Sequence, residues 1–139
     1  MMWCFNRIFG GCMNLIPTRV HGMLDYAVGL ILIVAPWLIG FNDNAPATWV
    51  PFTLGCSAIL YSLMTDYELG AFRVLPMGAH LAIDFCSGLL LLASPWLFGF
   101  ADRIVWPHVT FGLLEIGVVL LSQRVPAHGA SRHHDRLAM

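Results

Sequence analysis

No lysine occurs among the 139 residues; all seven basic side chains are arginine. Charged residues make up only 11% of the chain. A water-facing domain carries about 25%, so the charge here is too sparse to cover a solvated surface. The formal net charge is −1, which removes the basic field that a nucleic-acid partner needs. Hydrolytic and phosphate-handling patterns are missing too. There is no G-x-S-x-G, no phosphate loop and no H-E-x-x-H, so an enzyme is not the expected reading. Cys4, Cys12, Cys56 and Cys86 form no C-x-x-C pair. Cys56 and Cys86 lie in apolar runs and read as small packing residues.

What is present is oil: 58% of the chain is hydrophobic. Four runs stand out. Gly22 to Phe41 contains one charge, Asp25; Ala45 to Thr65 contains none; Leu81 to Phe100 contains Asp84; Ile104 to Ser122 contains Glu115. A bilayer core about 30 Å thick takes about 20 helical residues to cross, so four transmembrane helices are expected. The runs do not alternate as barrel strands do. The first is too long for a signal peptide and lacks a small-x-small site, so it reads as a retained span.

Arg7, Arg19, Arg73, Arg124, Arg132 and Arg136 fall on one side of these spans and only Arg103 on the other. That bias puts both termini and the middle loop in the cytoplasm. Residues 1–16, with Trp3, Phe5, Ile8 and Phe9, read as an interfacial helix or a disordered start. Residues 124–139 read as a polar tail, where His128, His133 and His134 are more readily solvated than metal-bound.

A repeat organises the middle of the chain. Shifted by 59, residues 17–43 fall on 76–102 with twelve of 27 positions identical. Trp49, Thr53, Gly55 and Ile59 match Trp106, Thr110, Gly112 and Ile116 at a shift of 57. The repeating unit is one helical hairpin: residues 17–65, a cytoplasmic loop at 66–75, and residues 76–123. A unit of two spans returns the chain to its starting side. The fold class is therefore all-α, a four-transmembrane-helix bundle of two parallel (same-orientation) hairpins related by a pseudo-two-fold axis along the membrane normal. Each first helix closes on Pro-Trp-x-x-Gly: Pro36, Trp37 and Gly40, then Pro95, Trp96 and Gly99. Proline weakens the last turn, tryptophan sits well at headgroup depth, and glycine takes the left-handed cap. The motif reads as a helix stop and interface anchor.

The pair "APWLIGF" and "SPWLFGF" resembles the SPW repeat family of small prokaryotic integral membrane proteins, over roughly residues 17 to 123. The resemblance implies a membrane location and two helices per repeat, and carries no activity with it. Ala35 replaces the motif serine in the first copy, Ser94 keeping it in the second, which argues against a required hydroxyl.

The second duplicated feature is polar. His21, Asp25 and Gly29 are spaced by four, as are His80, Asp84 and Gly88, so each trio lies on one helical stripe. Gly29 and Gly88 let a neighbouring helix come close. The acids belong in the bundle interior, where two nearby carboxylates need compensation from protonated histidine, a shared proton or a cation. Three readings stay open. The pairs glue helices together in a structural or accessory protein. Alternatively, they relay protons or cations in a carrier or channel, with Glu115 as a second station. Or His21, Asp25, His80 and Asp84 hold a divalent metal, or the two histidines a non-covalent haem. The first reading leads, so no cofactor is assigned; haem and a divalent metal are the alternatives. Partners are the lipid bilayer and a second copy or another membrane protein. His108 reads as an interfacial polar residue. Ser57, Ser62, Ser87 and Thr53 read as satisfying local carbonyls or packing between helices.

Overall fold

The computed structural model describes residues 15–124. The readings made above for the first 14 residues, for Cys4 and Cys12, and for the tail from residue 125 with its three histidines lie outside those described. Four α-helices follow in chain order: α1 (Thr18–Ile39), α2 (Ala45–Met64), α3 (Met77–Leu97) and α4 (Trp106–Leu121). Among the described residues the only sheet-like pairing is two isolated bridges. The all-helical class expected from the sequence is what forms.

The helix limits follow from local chemistry. Pro17 and Pro76 stand as N-caps with extended backbone, so α1 and α3 each begin four residues before the apolar run. Asn44 caps α2 by accepting from the Ala47 N–H at 3.2 Å, satisfying one of the first-turn donors. Gly40 and Gly99 have φ of 84° and 68°, the left-handed region that closes a helix. Phe41 and Phe100 then donate back to the Pro36 and Pro95 carbonyls at 2.9 and 2.8 Å.

Three helices (α1, α2 and α3) are long and apolar enough to cross a membrane. The fourth differs from expectation. It has 16 residues, about 24 Å at 1.5 Å per residue, against a run of 19 from Ile104 to Ser122. Arg103 and Ile104 donate to the Phe100 carbonyl, so the chain is still turning there. Pro107 occupies the first turn, and Ser122 leaves the helix to form a bridge.

Packing is closest within each hairpin, where glycine lets backbones touch. A Cβ built on Gly55 would lie 2.5 Å from the Gly29 carbonyl oxygen, and one on Gly112 would lie 2.8 Å from that of Gly88. The four glycines that the repeat aligns thus form two equivalent crossings. Outward-facing Leu30, Ile31, Leu38, Leu60, Leu89, Leu113 and Leu120 are exposed. The buried set, by contrast, includes Thr18, His21, Ser62, Thr65, His80, Asp84 and Ser122. Apolar outside and polar inside suits a lipid solvent.

The interior has two ends. One is apolar: Ala35, Phe41, Ala47 and Phe100 cluster. His108 is buried there: both motif phenylalanines flank its ring, at 5.6 and 4.9 Å, and its Nε2 donates to the Ala47 carbonyl at 3.1 Å. The other end, where α1 and α3 begin and α2 and α4 finish, holds the polar residues.

Candidate functional site

The start of each first helix is tied to the finish of the other hairpin. Ile16 pairs with Ser122, and Leu75 pairs with Thr65. These are equivalent places: Leu75 lies 59 residues after Ile16, and Ser122 lies 57 after Thr65. With the ends of α2 and α4 so fixed, the Thr65 and Ser122 hydroxyls face the two histidines.

Ser122 Oγ donates its one proton to the Val118 carbonyl at 2.6 Å, and Thr65 Oγ1 donates to Tyr61 at 2.7 Å. Each hydroxyl therefore has only lone pairs left for an imidazole. His21 Nδ1 donates to Ser122 Oγ at 2.8 Å, and His80 Nδ1 donates to Thr65 Oγ1 at 2.8 Å. The hydroxyls thus orient both rings and fix a proton on each Nδ1.

Both Nε2 atoms then point at one spot. They lie 3.2 Å apart. His21 Nε2 is 3.0 Å from Asp84 Oδ2, and His80 Nε2 is 2.9 Å from Asp25 Oδ2. Contacts along the same helix are 3.4 Å for His21 to Asp25 and 3.0 Å for His80 to Asp84. So the acids serve both histidines, crossing between repeats as well as staying within them. The carboxylates are held by hydroxyls as well. Tyr61 donates to Asp84 Oδ1, the oxygen turned away from the histidines, at 2.5 Å, and Ser62 donates at 3.1 Å to Asp25 Oδ2, the oxygen that also faces His80. His21, His80 and Asp84 are almost wholly inaccessible.

One ligand atom from each of His21, Asp25, His80 and Asp84 falls within 4.8 Å of all the others. Glu115 is not part of that group. It lines a small cavity beside it, shared with His21, Asp25, Tyr61 and Asp84, of about 20 Å³, room for one water-sized species. Two histidine nitrogens 3.2 Å apart cannot be the axial ligands of one haem. The iron and its macrocycle would have to fit between them, and Tyr61, Ser62, Thr65 and Ser122 occupy the surroundings.

Sequence reasoning missed several members of this site. Thr53 and Ser57 do bond local carbonyls, Trp49 and Thr53 respectively, but Ser62 bonds Asp25 instead. Tyr61, Thr65 and Ser122 were not singled out. Thr65 and Ser122 could have been, because the shift of 57 that aligns Gly55 with Gly112 also aligns these two hydroxyls. Tyr61 matches Val118 at that shift and so left no repeat signal.

Apolar helices enclosing a duplicated polar centre define the class, a membrane protein made of two hairpin repeats. The SPW repeat domain matches residues 19–122, and the chain belongs to that family. No curated protein and no solved structure matches it.

Proposed function

We propose that the protein is a four-span, multi-pass component of a prokaryotic inner membrane with both termini and the 66–75 loop cytoplasmic. Its two hairpins share one orientation about a pseudo-two-fold axis, and its His-Asp centre fastens them together in a structural or accessory role. The observation that carries this is the crossing. His21 is served by Ser122 and Asp84, and His80 by Thr65 and Asp25, every one of these partners belonging to the other repeat. The arginine bias supports the orientation. Exposed Trp37, Trp96 and Trp106 suit the outer headgroup level. The short α4 fits a span completed by its non-helical neighbours or by local thinning of the bilayer. An accessory role implies a partner, a second copy or another membrane protein.

The test is thermal unfolding of the full chain in detergent. His80→Ala leaves two carboxylates short of a partner, and breaking a buried pair from one side costs about 3–5 kcal/mol. A variant as stable as the parent would remove the fastening role.

A second reading, a proton- or cation-coupled carrier, is favoured by the cavity that joins Glu115 to Asp25 and Asp84. It requires Asp25→Asn with Asp84→Asn to abolish flux into liposomes; unchanged flux rules it out.

A further inference from the structure

We propose that His21 Nε2, His80 Nε2 and one oxygen each of Asp25 and Asp84 bind a single divalent transition-metal ion of the zinc class in a closed, four-coordinate site. The proposal rests on reading the centre as the join between repeats, and adds the ion that completes it.

Proton placement is the first observation. The Thr65 and Ser122 hydroxyls spend their protons on helix carbonyls, so each histidine carries a proton on Nδ1. A neutral imidazole protonated there presents a lone pair at Nε2, the state a metal ligand needs. When Nε2 gives up any proton of its own, the centre becomes four acceptors facing one another, two nitrogen lone pairs and two carboxylate oxygens, and an ion takes the place of the protons that the nitrogen–oxygen contacts of 2.9–3.0 Å otherwise share. Tyr61 donates to the far oxygen of Asp84 and Ser62 to Asp25 Oδ2, and neither hydroxyl donates to a histidine nitrogen. Two carboxylates with two neutral imidazoles carry a charge of −2, and one divalent ion cancels it. An uncompensated charge of that size is costly between apolar helices.

Geometry is the second observation. Four donors about 2.0–2.1 Å from a tetrahedral ion lie about 3.3–3.4 Å from one another. Here the two Nε2 atoms lie 3.2 Å apart, Asp84 Oδ2 lies 3.0 Å from each, and Asp25 reaches His80 through Oδ2 at 2.9 Å and His21 through Oδ1 at 3.4 Å; one donor atom from each residue fits within 4.8 Å, so an ion is accommodated by drawing the carboxylates in around it. Ligand type selects the metal. Calcium takes six to eight oxygens at about 2.3–2.6 Å, and magnesium keeps several waters in an octahedron; neither matches two imidazoles and two acids. Two nitrogens and two oxygens suit zinc and its neighbours.

The surroundings are those of a metal site. Ligating histidines donate their other ring nitrogen to a fixed acceptor, and ligating carboxylates are themselves hydrogen-bonded. All four residues meet that description. Four protein ligands leave no open position, so the ion would hold the repeats together and not perform catalysis.

The experiment uses the full chain in detergent, washed with chelator and purified through a tag without histidine. Cys4→Ser, Cys12→Ser, His128→Gln, His133→Gln and His134→Gln remove other ligands. Titration with Co²⁺ should give one ion per chain, with the intense visible absorption of four-coordinate cobalt, and Zn²⁺ should displace it. His21→Gln or His80→Gln should abolish the band. Thr65→Ala with Ser122→Ala should keep the band but weaken affinity by about 10–100-fold, as loss of orienting partners does. No stoichiometric band in the parent chain overturns the proposal, since two protons then neutralise the centre. A weak six-coordinate spectrum, or a band that survives both histidine variants, does the same. The fastening role is judged separately, by metal-free unfolding. A chain that binds no metal yet loses stability on His80→Ala keeps the join without the ion. A chain that binds cobalt but is unaffected by His80→Ala when metal-free loses the join as a metal-independent feature.

Discussion

Ser122 ends the last helix, and its Oγ accepts from His21 Nδ1, near the start of the first, at 2.8 Å. One hydroxyl thereby closes a loop of 101 residues and sets the direction of a buried ring. Ser122→Ala leaves that N–H inside the protein without an acceptor, which costs about 1–3 kcal/mol. Thermal unfolding of metal-free protein should show the loss, and Ser122→Thr, which restores a hydroxyl, should recover most of it. Equal stability of the alanine and threonine variants would mean that the hydroxyl does not hold the ring.

The glycine crossings should respond very differently from glycines elsewhere. Gly112 faces Leu92 N at 2.7 Å and Gly88 O at 2.8 Å from a built Cβ. Both contacts are backbone, so Gly112→Ala must push α3 and α4 apart, and overpacking of that kind costs about 1–3 kcal/mol. Gly55→Ala should do the same to α1 and α2. Gly117 lies on α4 as well, but a Cβ there meets nothing within 4 Å. Gly117→Ala should be neutral or stabilising by up to about 1 kcal/mol, because alanine is the better helix former. Unfolding midpoints of the three variants in one detergent decide the ranking.

Tyr67 lies in the loop between the hairpins, yet it is fully buried against α1. A Cβ on Gly22 would sit 2.0 Å from Tyr67 Cε2. The ring has nowhere to turn, so Gly22→Ala should be strongly destabilising and Gly22→Ala with Tyr67→Leu should regain part of the loss. The Tyr67 hydroxyl is buried beside Tyr26 and Ser62 with neither in hydrogen-bonding geometry, and burial raises its pKa above the ordinary tyrosine range. Tyr67→Phe removes an unsatisfied group and should leave stability unchanged or raised. A large loss in Tyr67→Phe would reveal a partner for that oxygen.

The helices and their stops were legible because each rests on local chemistry. Length and apolarity mark the spans, proline starts them, and the left-handed glycine ends two of them. The repeat made the tertiary site partly legible as well. Duplication requires equivalent residues to occupy equivalent places, so the stripes of His21 with Asp25 and of His80 with Asp84 could be expected to meet. What repetition could not reveal was its own breakage. Tyr61, Ser62 and Glu115 stand opposite Val118, Val119 and Ala58, and these one-sided residues grip the acids or line the cavity. The burial of His108 was hidden for a related reason, because the Phe41 and Phe100 that close over it come from both repeats.

The orientation has its own test. Arg103 shares the end away from the polar centre with Asp43 of the other repeat, and the two form an ion pair with both side chains more than half exposed. Such a pair contributes about 0–1 kcal/mol, and it leaves the arginine bias intact, because acidic residues count little in setting topology. In a background lacking the four native cysteines, Asn42→Cys should react with a membrane-impermeant maleimide added to whole cells. Phe72→Cys, exposed in the loop between hairpins, should react only after the membrane is opened. Neither position lies in a helix, so neither substitution disturbs a span. Labelling in the reverse order would turn the protein over in the bilayer while leaving the two-fold relation untouched. Labelling of both positions from the same side would show that a hairpin fails to cross, and would end the four-span reading.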